Sequence, residues 1–207
     1  MEQMKEKERV LPTIKLSGIE FHVDAVSSML IEVENTTNTI HALELMAVDD
    51  HYEFVFDKQR RNLKETDWNE RDNDNCELIW LRPFGVYDKQ GAELLMEENP
   101  ALTPKKLPTL LIESEPFYWD KLRGQLVQVS NPFNRIGKYE LQYGFHFDLK
   151  EKVALFPHES ELLNGENSLP GHVRFIDPKT ISTKINKAIE LDEKSGLNSK
   201  TRKRLKH

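Results

Sequence analysis

The sequence predicts an α+β fold built from two tandem copies of a small antiparallel β-meander unit, each closed by a C-terminal helix. Three observations lead there: self-similarity at a fixed offset, short segments of alternating polarity, and a helical pattern near the end of each copy. With the chain shifted by 96 positions, residues 11–45 face residues 107–141 without a gap, and 12 of the 35 pairs are identical. Composition alone would give about two. The identities include Phe21/Phe117, Asp24/Asp120, Leu30/Leu126, Asn35/Asn131, Asn38/Asn134 and Ile40/Ile136. After a five-residue shortening, Tyr52–Asp57 matches Tyr143–Asp148 at four of six positions. Two blocks in the same order predict a repeated unit.

Leu-Pro-Thr opens each copy, and proline suits a strand start because it cannot donate to a ladder. Thr13-Ile14-Lys15-Leu16 alternates as a half-buried strand does, Ser17-Gly18 signals a turn, and Ile19–Val23 alternates again. Leu30–Val33, mirrored by Leu126–Val129, completes a three-strand meander. The Asn-x-x-Asn segments, 35–38 and 131–134, read as turns, with Pro132 where a type I turn favours proline. Tyr52–Phe56 and Tyr143–Phe147 read as a fourth strand. One helix is expected from near Asp88 to Glu98, stopped by Asn99-Pro100. A second is expected from the N-cap Asp177 and Pro178 to Gly196, with Ile181, Ile185, Ala188 and Ile189 as its apolar stripe. The resulting division is a charged extension (1–10), unit one (11–100), a connector (101–106), unit two (107–193) and a basic tail (194–207). A pseudo-twofold packing of the two copies is expected by the logic of a symmetric dimer.

Charge and cysteine content predict a soluble cytoplasmic protein. Residues 1–9 are too charged for a secretory signal, no apolar run approaches bilayer length, and Cys76 is the single cysteine. Net charge is −6, yet residues 194–207 hold six Lys or Arg and no acid, which leaves −12 on the remainder.

Phosphate-binding glycine loops, a His-Glu-x-x-His helix and a nucleophile elbow do not occur in the sequence. The seven histidines have no metal-ligand spacing, and Asp72-Asn73-Asp74-Asn75 lacks the glycine and distal glutamate of a calcium loop. No metal and no cofactor is therefore expected. Asp24/Asp120 and Asp57/Asp148 follow strands, where aspartate commonly bonds a turn, and they are read as structural.

The leading expectation is a non-enzymatic protein-interaction scaffold. Its partner surface would comprise Asn35, Asn38, Asn131, Asn134, Tyr118, Phe133 and Arg135, because aromatics and arginine at turn tips serve as anchors. The alternative is a nucleic-acid accessory protein binding phosphates through Lys200, Arg202, Lys203, Arg204 and Lys206. A third reading is an enzyme whose Asp and His residues meet at a cleft between the copies. Oligomeric state is not readable from the sequence.

Overall fold

Strand-forming segments of two to seven residues, bounded by Asx turns and residues of positive φ, assemble into four antiparallel sheets, with helices added in each half. The structure is a computed structural model that describes residues 9–64, 75–103, 107–164 and 169–204; the side chains of 162–164 and 195–204 lie outside the description. The chain divides into two compact units, Met1–Pro100 and Ala101–His207.

In the first unit, β1 (Thr13–Leu16), β2 (Ile19–Asp24), β3 (Met29–Glu32) and β4 (Thr39–His41) form a meander in chain order. Ser17 and Gly18 both have positive φ (49° and 85°), the geometry of a two-residue hairpin turn that matches strand twist. A second sheet is organised on β6 (His51–Asp57), which pairs with β5 (Met46–Val48), β7 (Asn62–Leu63) and β8 (Cys76–Leu81). Helices α1 (Phe84–Tyr87) and α2 (Lys89–Glu98) follow. Asp88 caps α2 by accepting from the Gly91 amide (2.8 Å).

In the second unit, β9 (Thr109–Ile112), β10 (Glu115–Asp120), β11 (Gln125–Gln128) and β12 (Arg135–Ile136) form the meander. Helix α3 (Lys138–Tyr143) leads to β13 (Phe145–Asp148), which pairs with β14 (Val153–Ala154) and β15 (Val173–Ile176). Helix α4 (Pro157–Asn164) lies between the last two strands, and α5 (Pro178–Arg204) closes the unit. Asp177 accepts from the Lys179 and Thr180 amides (2.7 and 3.1 Å), as expected of the N-cap.

Strand registers agree at the 96-residue offset. Ile14 pairs with Phe21 and Leu110 with Phe117; Leu30 pairs with Ile40 and Leu126 with Ile136. The irregular backbone bonds agree as well. Val23 and Trp119 donate to the Pro12 and Pro108 carbonyls, and Glu32 and Gln128 to those of Asn38 and Asn134. In each unit a fully buried aromatic pair joins the two sheets edge to face: Phe21 with Phe56 (6.0 Å between centroids) and Phe117 with Phe147 (6.2 Å). Burying each such ring contributes about 1.5–3 kcal/mol.

A carboxamide makes the second link. The Asn134 Nδ2 donates to Gln128 Oε1 (3.0 Å) and to the Lys152 carbonyl (2.7 Å), across from β11 to the β13–β14 turn. The Asn38 Nδ2 donates to Glu32 Oε2 (2.7 Å) and to the Arg61 carbonyl (2.8 Å), from β3 to the β6–β7 turn. Both receiving turns place a basic residue at positive φ, Arg61 at 57° and Lys152 at 63°. The Asn-x-x-Asn segments are therefore clamps between sheets as well as turns.

Four expectations change. Each unit holds two sheets, because the aromatic block read as a fourth strand pairs with later strands, β6 with β8 and β13 with β15, and not with the meander. Tyr143 ends α3 instead of opening a strand; Gly144 (φ +83°) redirects the chain, and the strand starts at Phe145. The segment from Pro157 to Gly171 contains α4, a helix beyond the closing one expected in this unit. Helix α5 continues past Gly196 to Arg204. Asp72, Asn73 and Asp74 lie outside the described residues.

Asn134→Ala removes both donors and strands the Lys152 carbonyl. The expected loss is about 2–4 kcal/mol in urea unfolding, from one to two unsatisfied buried groups; a loss under about 1 kcal/mol contradicts the clamp. Asn134→Asp keeps the size without the donors and is expected to cost at least as much.

Candidate functional site

An apolar concavity in the second unit arises where α3 and α5 pass over the Trp119 end of β10. Trp119, Leu141, Ile181 and Ile185 supply its floor, and Lys138, Gln142, Ser182 and Asn186 its rim; its volume is about 400 Å³. Ile181 is fully buried, while Trp119, Leu141 and Ile185 are half-buried against the core. Gly124 (φ +65°) lets the Lys138 alkyl chain lie across the β10–β11 turn, since a Cβ there would meet Lys138 Cε at 3.0 Å. The first unit has Val23 in the Trp119 register position, and Val23 is fully buried. Such a groove suits an apolar side chain whose polar surroundings bond to the rim. The Trp119/Val23 difference at the 96-residue offset is readable in the sequence, but α3, which supplies a wall, is not.

The predicted surface residues separate into two groups. Asn35 and Asn131 make Asx turns, accepting from the amides of Thr37 (3.3 Å) and Phe133 (3.1 Å). Asn38 and Asn134 serve the sheet clamps instead, and Asn134 is only 4% exposed. Tyr118 pairs with Val127, which pairs with Arg135, so Tyr118 and Arg135 share the sheet face opposite Phe117. The Arg135 Nε donates to the Pro132 carbonyl (3.2 Å), and Phe133 beside it is half-buried. Lys200, Arg202, Lys203 and Arg204 fall on helical backbone; Lys206 lies outside the described residues.

The repeated aspartates all bond turns. Asp24 accepts from the amides of Val26 and Ser27, Asp120 from Leu122 and Arg123, Asp57 from Gln59 and Arg60, and Asp148 from Lys150 and Glu151. Asp24 also pairs with Arg9, which lies 3.3 Å from the buried Asp88. Arg9, assigned by sequence to the extension, is thus anchored in the first unit. Burial pushes the Asp24 carboxyl up, but bonds from Ser27 and the Arg9 charge outweigh it and hold it below its ordinary range.

One titratable cluster was not anticipated. His51 at the start of β6 has Nδ1 2.9 Å from Asp50 Oδ1 and Nε2 3.0 Å from Glu53 Oε1, with its ring against Trp80 (5.1 Å). Burial pulls the imidazole pKa down, but the two carboxylates together raise it above its ordinary value. Both ring nitrogens are engaged by carboxylates, which suits a charged structural imidazolium and not a general base. Among the described residues, no group of three or more His, Cys, Asp or Glu is placed to hold a metal ion, and no helix is long and apolar enough to cross a membrane.

Charge divides unevenly between the units. Residues 1–100 contain 11 Lys or Arg against 22 Asp or Glu, and residues 101–207 contain 18 against 13. The acidity inferred for the whole body belongs to the first unit. Comparisons with family models, curated proteins and solved structures find no match for the chain.

Because His51 has a raised folded pKa, its contribution to stability is complete below the unfolded value of about 6.5 and is lost as pH rises through the folded value. Chemical denaturation from pH 6 to pH 9 is expected to show a declining midpoint that flattens in His51→Gln. An unchanged slope in that variant removes the triad as its source.

Proposed function

We propose that the protein is a non-enzymatic binding module whose second unit seats an apolar side chain of a partner protein in the groove between α3 and α5. The observation that carries this reading is the open groove floor: Trp119 and Ile185 are half-buried where a closed core would hide them. Partly exposed aromatics inside a concave rim are the usual anchors of protein recognition. The reading also includes descent of the two units from one duplicated segment, supported by the shared registers and carboxamide clamps. On that view the clamps are the retained architecture, and the groove is a later departure of one copy.

Ser182→Trp tests the groove directly. Ser182 sits exposed on the rim, so the added ring fills the cavity with little expected effect on stability, within about 0.5 kcal/mol. Quantitative affinity purification from the native cell is expected to lose the wild-type partners. Retention of all of them by Ser182→Trp, with loss on Tyr118→Ala plus Phe133→Ala, would move the contact to the sheet face carrying Tyr118 and Arg135.

A second reading, a nucleic-acid accessory role, is favoured by two observations: the helical backbone of α5 through Arg204, and the excess of cations in the second unit. It implies affinity that falls steeply with salt.

A further inference from the structure

Four aromatic rings gather where α3 runs into β13. Tyr139 and Tyr143, one helical turn apart, pack at 4.8 Å between centroids and are 60% and 59% exposed. His146 on β13 and Phe175 on β15 are direct cross-strand partners with centroids 5.3 Å apart, and Phe175 is 53% exposed. Gly144 joins the two pairs. A Cβ at Gly144 would lie 2.6 Å from Phe175 Cζ, so the Phe175 ring rests on the bare backbone next to Tyr143. The same point is 3.0 Å from Pro178 Cδ, which brings the start of α5, with the exposed Lys179, alongside.

Exposed rings set on a sheet and an adjoining helix offer flat π faces in place of a pocket, and water is a poor partner for those faces. Bases of an unpaired strand are good partners, because every base has a π face and stacking tolerates sequence. The cationic charge of this unit lies at its C-terminal end: residues 194–207 hold six cationic residues and no acid, residues 101–193 are near balance with 12 against 13, and the first unit, with 22 acidic against 11 cationic, repels phosphate. Arg174 adjoins Phe175 in the chain, is exposed, and is held by Glu113 (3.1 Å). A protein partner would have no need of the cations of residues 194–207.

We infer that the second unit binds single-stranded nucleic acid, with bases stacked on Tyr139, Tyr143, Phe175 and His146 and phosphates held by its lysines and arginines. This deepens the nucleic-acid reading above and rests on it for the phosphate contacts. A duplex is a poor ligand at this strip because its bases are already stacked.

The test is fluorescence anisotropy of the full chain with labelled oligothymidylate and oligouridylate of about 16 nucleotides, the upper site size of a small single-strand domain. A duplex of equal length serves as the comparison. Wild type is expected to prefer the single strands. Tyr143→Ala and Phe175→Leu, the second retaining an apolar cover for Gly144, are each expected to raise Kd by roughly 5- to 100-fold with the salt slope unchanged. Lys200→Gln, Lys203→Gln and Arg204→Gln together are expected to flatten the slope by about 0.7 for each phosphate they cease to neutralise. If the aromatic variants bind as wild type while the cation variant weakens binding, the stacking strip is overturned and the basic helix remains. If wild type retains neither strand at low salt, both are overturned and the strip belongs to a protein partner.

Discussion

A single carboxamide, with both donors of its Nδ2 engaged inside the protein, sets how the two sheets of each unit meet. Asn134 spans from Gln128 to the Lys152 carbonyl, and Asn38 from Glu32 to the Arg61 carbonyl. In a buried setting these bonds are stronger than in water and more costly to leave unmade. Asparagine fits because its side chain offers two diverging donors at short reach. The clamp holds a turn residue at positive φ, and that turn positions β7 or β14 beside the strand carrying Phe56 or Phe147. The edge-to-face phenylalanine pairs then close the core beneath it.

With that frame common to both units, their differences define the functional proposals. The first unit fills the Val23 position with a small, buried side chain, while Trp119 leaves its counterpart open to a groove. After the meander, the first unit runs through β5 and the second through α3, which adds both the groove wall and the Tyr139–Tyr143 pair. Helix α2 has 10 residues, whereas α5 has 27 and carries cationic positions to its end. The first unit is strongly acidic, and the cation excess of the second lies in residues 194–207.

Much of the meander was readable because its segments alternate cleanly: Phe21 and Val23 point one way and Glu20 and His22 the other, so period alone fixes face and strand. The caps at Asp88 and Asp177 were equally plain, since an N-cap needs only a local acceptor. What failed was anything dependent on distant partners. Tyr143–Phe147 contains three aromatics and reads as strand, yet Gly144 breaks it, because Phe175 and the Ile176 carbonyl occupy the space a Cβ would need. Asn38 and Asn134 carry an ordinary turn signal, and nothing local announces that their amides reach 18 to 23 residues along the chain. His51 looked unremarkable because its partners, Asp50 and Glu53, resemble the rest of an acidic surface. The aromatic strip draws on α3, β13 and β15, and its rings become neighbours only when β13 and β15 pair.

The clamp is most directly measured by side-chain amide NMR of the full chain. The Asn38 and Asn134 carboxamide protons are expected to exchange slowly with solvent and to show couplings through the hydrogen bonds to the carbonyl carbons of Arg61 and Lys152. Rapid exchange of both carboxamides, with no such coupling, would contradict the account that these two side chains hold the sheets together.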